Sequence, residues 1–430
     1  MRDGLCRLAI ALAIGGCAAA APGGDPAAAG GAVALPSCGT ITTREGVGAP
    51  VLGERGLGPD PAPRQVRLSL VDDPRTTIAV AWRTGDDATI GTTVRYGQAA
   101  LDQTATGATF LVPSATGGRP IRMHEARLCG LAPDTSYRYQ VGARGGDGVE
   151  RFSPVFAFRT APDPAREPDA EVVIAVLGDS RGGWDVLRQV STQLAGYAPD
   201  LVLFTGDAVS LGTLQGDWDR FFDAIGPLVE RAPMISAHGN HELNAPSYYA
   251  EQALPGDEEN FAVDAGFAHV TVLNDSPFTF TTLGGATRAF LARDLAASAG
   301  ARWKIVMHHR AIWSASTVHG STPMLRAAWG SLYDAARVDL VLNGHDHAYE
   351  RTRPMRSLLP QPGAADGTTY VVFGGAGAPL YDVARNFWTA YSETTHGGMI
   401  LRVRRDRLVA EAIRADGTLL DSFTMTKAPP

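Results

Sequence analysis

Gly344-His345-Asp346-His347 follows the apolar run Val338-Asp339-Leu340-Val341-Leu342 and sets two imidazoles two positions apart around an acid. Four other apolar runs end in donors of the same kind: EVVIAVLGD at Asp179, PDLVLFTGD at Asp207, APMISAHGNH at Asn240 and His241, and WKIVMHH at His308 and His309. Carboxylate, carboxamide and imidazole together suit Fe, Mn or Zn, and the absence of any CxxC argues against a thiolate site. Each motif alone is ordinary, since a GD after a strand is usually a turn and HxH is widespread. Their clustering is not ordinary: nine of the ten histidines lie after residue 237, and five of them, His241, His308, His309, His345 and His347, sit at these run ends. Side chains two apart in an extended chain point to opposite sides, so His345 and His347 suit two ions better than one.

Such donors need strands that deliver them to one place. The runs are continuous rather than alternating, which predicts strands buried on both faces with helices between them. In open α/β sheets the ligand site lies beyond the carboxyl ends of the strands, where all five runs terminate. Upstream, residues 64–160 alternate, as in Val66, Leu68 and Leu70, Ile78, Val80 and Trp82, or Tyr137, Tyr139 and Val141. That period predicts an all-β sandwich. APDPAREPD, residues 161–169, marks the boundary before a second domain over 171–427.

The N-terminus reads as an export signal over 1–17: Arg2 and Arg7 precede the apolar LAIALAI, which is too short to span a bilayer. Ile14-Gly15-Gly16-Cys17 resembles a lipoprotein cleavage box with Cys17 as the lipidated residue, and simple secretion is the alternative. The expected location is periplasmic, cell-envelope-anchored or secreted, with membrane contact only through that anchor. Residues 18–63 are expected to form a tether, flexible to about Pro36, and an N-terminal extension. Of four cysteines, Cys38 and Cys129 remain to pair in an oxidising compartment. A net charge of −7 without a Lys/Arg-rich block excludes a nucleic-acid backbone as the default partner.

The order GD, GD, GNHE, strand-terminal His and GHDHAYER resembles the calcineurin-like metallophosphoesterases, and the preceding sandwich makes the whole similar to purple acid phosphatases. Leu131-Ala-Pro133-Asp-Thr135-Ser-Tyr137 resembles the tyrosine corner of fibronectin type III domains. The resemblance implies a four-layer αββα sandwich after the fibronectin III-like domain, two metal ions of unresolved identity, and hydrolysis of small-molecule phosphate esters. Residue by residue, it implies Asp179 and His347 on the first metal, Asp207 as the bridge, and Asn240, His345 and His309 on the second. Spacing from Trp303 selects His309, whereas a frame anchored on the double histidine selects His308. His241 and His319 are the implied substrate-side imidazoles, suited to proton transfer.

Two positions depart from the family. Ser210 stands where purple acid phosphatases carry the iron-binding Tyr, which implies a colourless protein. Arg181 stands where relatives commonly have Gly or His, and is a candidate either to clamp a phosphate oxygen or to orient an acid. Arg310, Trp313 and GGAGAPLY, residues 374–381, are expected near the site. Monoester hydrolysis is the leading expectation. Diester hydrolysis, or a surface binding protein with a vestigial phosphoesterase domain, are the alternatives.

Overall fold

The computed structural model describes residues 29–428 apart from 37, 54, 115–118 and 277. The segment 1–17 with its Cys17 lies outside the described residues. No helix among them is long and apolar enough to cross a membrane.

Two five-stranded sheets form the sandwich. One is ordered Glu150–Phe152, Ser136–Arg144, Thr93–Gly97, Gln103–Thr106, with Phe156–Arg159 also paired to Ser136–Arg144. The other runs Val51–Leu52, Ala108–Val112, Ile121–Cys129, Thr77–Arg83, Arg64–Ser69. The alternating residues all turn inward: Val66, Leu68, Leu70, Ile78, Val80, Trp82, Tyr137, Tyr139 and Val141 are buried. The Ala132 N–H donates to the Tyr137 hydroxyl at 2.9 Å, closing the corner that the sequence resembles.

The expected tether needs correction. Gly31–Ala34 pairs antiparallel with Thr40–Thr43, and Leu35, Ile41 and Val47 pack against Ala108, Phe110, Val112 and Met123. A few apolar side chains among alanines and glycines suffice because the sandwich offers them a ready surface, and the Cys38–Cys129 disulfide ties the segment down. The sandwich also starts earlier than residue 64, with Val51–Leu52 as an edge strand whose exposed side chains show no alternation.

The second domain has two facing sheets. Met234–Ser236, Leu201–Phe204 and Val172–Leu177 are parallel, and Gly397–Val403, Arg407–Arg414 and Leu419–Thr426 complete that six-stranded sheet antiparallel. The seven-stranded sheet is ordered Phe261–Ala265, Ala268–Val272, Trp303–Met307, Leu340–Asn343, Thr369–Phe373, Tyr349–Thr352, Thr389–Glu393. Strand alternation sorts its residues into layers: Ile305, Met307, Leu340, Leu342, Val371 and Phe373 join the core shared with the other sheet. Val306, Val341 and Tyr370 instead meet Leu291, Leu295, Leu325 and Trp329 of the helices Ala286–Ala297 and Pro323–Ala336. Helices Trp184–Ala195 and Gln215–Val229 pack together against the first sheet. The result is the four-layer αββα sandwich.

The sandwich is fastened to this domain by polar contacts within a continuous apolar core. Arg67 and Glu251, both buried, form an ion pair at 2.7 Å, and the Arg67 Nε–H donates to the Glu251 carbonyl at 2.9 Å. The Tyr139 hydroxyl donates to the Glu230 carbonyl at 2.9 Å.

Candidate metal centre

Asp207, His309 and His345 offer ligand atoms that all lie within 4.8 Å of one another. His309 Nε2 is 3.1 Å from Asn240 Oδ1, 3.1 Å from His345 Nδ1 and 3.3 Å from Asp207 Oδ1. Its Nδ1–H donates to the Thr205 carbonyl at 2.9 Å, which fixes Nε2 as the atom facing the cluster. Four lone-pair atoms thus converge in a buried space, the arrangement that a divalent cation satisfies. The donor set therefore fits a metal at this second position.

The charges fit as well. Burial presses His309 down, but the carboxylates of Asp207, Asp179 and Asp275, Asp207 foremost, more than reverse this and raise it to about 10. His345 is lowered to about 2, by burial and then by the charge on His309. Burial would raise Asp207, yet His309 holds it below the usual carboxylate range. A bound cation would serve the role that a protonated His309 plays toward Asp207.

His308 points elsewhere. Its ring meets Trp329 edge-on at 5.0 Å, beside Tyr333, on the helix side of the sheet. Adjacent residues of a strand face opposite sides, so only one of the two histidines reaches the cluster.

Around the first position, Asp179 is fully buried and accepts the His345 backbone N–H on its two oxygens at 2.9 and 3.0 Å. Its Oδ1 lies 3.6 Å from His347 Nε2. Burial, with Asp207 nearby adding to it, pushes Asp179 well above the usual range. Arg181 enters the same space: Nη2 is 2.8 Å from His347 Nε2 and 3.2 Å from the Tyr381 hydroxyl, Nε is 3.6 Å from Asp207 Oδ2, and Nη1 contacts His241 Nε2. His241 Nδ1–H donates to the Ser210 carbonyl at 2.7 Å. His319 lies flat on His345, ring centres 4.1 Å apart, and burial lowers its basicity.

The backbone at these turns is unusual. Asp179, Asp207 and His345 have φ of 60°, 56° and 69°, a left-handed conformation uncommon outside glycine and concentrated at functional sites. A Cβ on Gly344 would collide with the Asp179 carboxylate, so only glycine lets the 340–343 strand end this close to it.

All nine candidate site residues come to this end of the sheets; Trp313 does not line it, being packed in the helix-side core with Arg326 3.7 Å above its ring. Arg310 is held by Asp275, its backbone N–H donating to Oδ2 at 2.6 Å and Nη1 to Oδ1 at 2.9 Å. Sequence reasoning missed Glu242 and Tyr381. Glu242 accepts N–H bonds from Asp207 at 3.1 Å, Ala208 at 2.7 Å and Gly239 at 2.7 Å, joining the two loops that carry Asp207 and Asn240. Burial, then Asp207, raises it to about 7. Its signal was the acid completing GNHE. Tyr381 stacks on His347 at 4.0 Å, and GGAGAPLY gave only its general placement.

Comparison with known proteins agrees with this architecture. Residues 63–160 match the purple acid phosphatase N-terminal domain and residues 172–349 the calcineurin-like phosphoesterase domain. Human acid phosphatase type 7 is 30% identical over 368 residues, covering 76% of this chain and 81% of that protein. Arabidopsis thaliana probable inactive purple acid phosphatase 1 is 27% identical over 360 residues, covering 72% of this chain. The chain spans only 58% of that relative's length. The structure of purple acid phosphatase PPD1 from yellow lupin seeds superposes with a TM-score of 0.73 at 23% identity, covering 86% of this chain and 75% of that one. The fold and the domain matches thus place the chain in the calcineurin-like phosphoesterase class. Within that class the chain belongs to the purple acid phosphatase family.

Proposed function

We propose that this protein is an exported metal-dependent phosphoesterase that hydrolyses small phosphate monoesters. The observation that carries the proposal is the convergence of Asp207, Asn240, His309 and His345 on one buried point, with the Nδ1–H of His309 engaged on the Thr205 carbonyl so that Nε2 faces that point. Family membership alone is weaker support, because relatives include proteins named probable inactive as well as proteins named phosphatases. Metal bound there supplies Lewis acidity toward a phosphoryl oxygen and acidifies a water.

The chain's own residues do the rest. Arg181, held on His241, His347 and Tyr381, sets a fixed positive charge beside Asp207 that complements a phosphoryl group. His241, aimed by its bond to Ser210, is the imidazole that exchanges a proton with the leaving oxygen, through Nε2 once that atom leaves its contact with Arg181 Nη1. His319 forms a wall over His345. Two metals in the family's manner, Fe, Mn or Zn, are the starting expectation. Ser210 offers no phenolate, so the loaded protein is colourless. Export is supported by the Cys38–Cys129 disulfide, which belongs to an oxidising compartment.

The test compares p-nitrophenyl phosphate with bis-p-nitrophenyl phosphate, on protein stripped by a chelator and then reloaded with Fe, Mn or Zn. Metal-restored turnover favouring the first supports the proposal. Preference for the second would make the enzyme a diesterase, and metal binding without turnover of either would favour the vestigial reading.

A further inference from the structure

The first position is arranged around a guanidinium. His347 Nδ1–H donates to the Pro379 carbonyl at 2.6 Å, so its Nε2 carries a lone pair, and that lone pair faces Arg181 Nη2 at 2.8 Å. His241 repeats the pattern: Nδ1–H is used on the Ser210 carbonyl, and the Nε2 lone pair faces Arg181 Nη1. The Tyr381 hydroxyl accepts from Nη2 at 3.2 Å, and the remaining edge, Nε, lies 3.6 Å from Asp207 Oδ2. One planar cation therefore meets two imidazole lone pairs, a phenol oxygen and the carboxylate shared with the second position. A nitrogen lone pair accepting an N–H bond is not available to a metal, so the bond to Arg181 and a metal bond at His347 exclude one another.

The substitution is one of charge for charge. Guanidinium stays protonated at every accessible pH and is weakly hydrated, so it tolerates a half-buried place beside two acids. At the second position Arg181 reaches only the shared Asp207, at 3.6 Å; none of its contacts involves Asn240, His309 or His345.

We infer that Arg181 takes the place of the first metal ion, leaving a one-metal centre at Asp207, Asn240, His309 and His345 with the guanidinium as its second cation. This rests on the metal-dependent reading above and specifies how many ions that reading needs. It assigns Asp179 to positioning: its carboxylate holds the His345 backbone through two contacts and shapes the turn that delivers the imidazole.

The test counts metal and reads its magnetic state. Wild type, Arg181→Ala and Arg181→Lys are loaded with excess Mn2+, desalted, and assayed by elemental analysis and electron paramagnetic resonance, with thermal melts to check folding. The inference predicts a single equivalent in wild type with the six-line signal of an isolated ion. Arg181→Ala gains a second equivalent and the signal of a coupled pair, and Arg181→Lys, which keeps the charge, stays at one. Two equivalents in wild type would overturn the inference while leaving the metal-dependent reading intact. One equivalent in both wild type and Arg181→Ala would also overturn it, because Arg181 would then displace nothing. No ion in wild type would instead sink the metal-dependent reading itself.

Discussion

His309 Nε2 and His345 Nδ1 face each other at 3.1 Å. With Nδ1–H of His309 engaged on Thr205, two unprotonated nitrogens at that separation would repel, and a proton or a cation between them is required. His309→Ala should therefore remove metal and lower metal-dependent kcat/KM by about 100-fold or more, the scale of a Lewis-acid contribution. His308→Ala should retain the metal. Packed against Trp329 with no exposed surface, His308 should instead cost about 2–4 kcal/mol of stability on truncation. Metal titration and denaturant melts of the two variants separate the roles; loss of metal from His308→Ala alone would reverse the assignment.

Glu242 holds three backbone N–H groups from two loops. In Glu242→Gln only one side-chain oxygen remains, and an N–H is left facing a donor. Stability should fall by about 1–3 kcal/mol and metal affinity by roughly 10-fold or more, as for other groups that orient ligands. An unchanged affinity in a competition titration would show that the loops hold their places without it.

Removing one partner of the Arg67–Glu251 pair leaves a buried charge without compensation. Arg67→Ala should destabilise the protein by about 3–5 kcal/mol, while replacing both residues with apolar ones should cost far less. Urea unfolding of the single and double variants gives both numbers directly.

His269 sits between Asp264 at 2.7 Å and Asp294 at 3.1 Å. Burial lowers its basicity, but the two acids override that and raise it from 6.5 to about 9. A raised folded-state value stabilises fully below pH 6.5 and is lost as pH climbs through 9. His269→Gln should cost about 1–2 kcal/mol at pH 6, discounted because Asp264 is exposed, and should match wild type near pH 10. Tm differences that do not shrink with pH would contradict this.

Much of the site was legible because its signals are local. Each donor closes its own apolar run, and the parallel strands of two facing buried sheets bring Asp179, Asp207 and Asn240 from one and His345 and His347 from the other to a common end. The choice between His308 and His309 was not local, since both finish the strand and only its register against the helices separates them. The surroundings of Arg181 were illegible for a related reason: His241, His347 and Tyr381 are brought to it by three different loops. The segment 29–50 misled because a low-complexity sequence cannot build a core alone, yet Leu35, Ile41 and Val47 join one that already exists.

The most direct test of the account is metal-dependent hydrolysis of p-nitrophenyl phosphate by wild type and Asp207→Asn, with bound metal measured in the same samples. Asp207 faces both cationic positions, so its amide should lose metal and at least about 100-fold in kcat/KM, with folding preserved. Equal turnover by the two proteins, or turnover that persists after the metal is stripped, would contradict a hydrolase built on this centre.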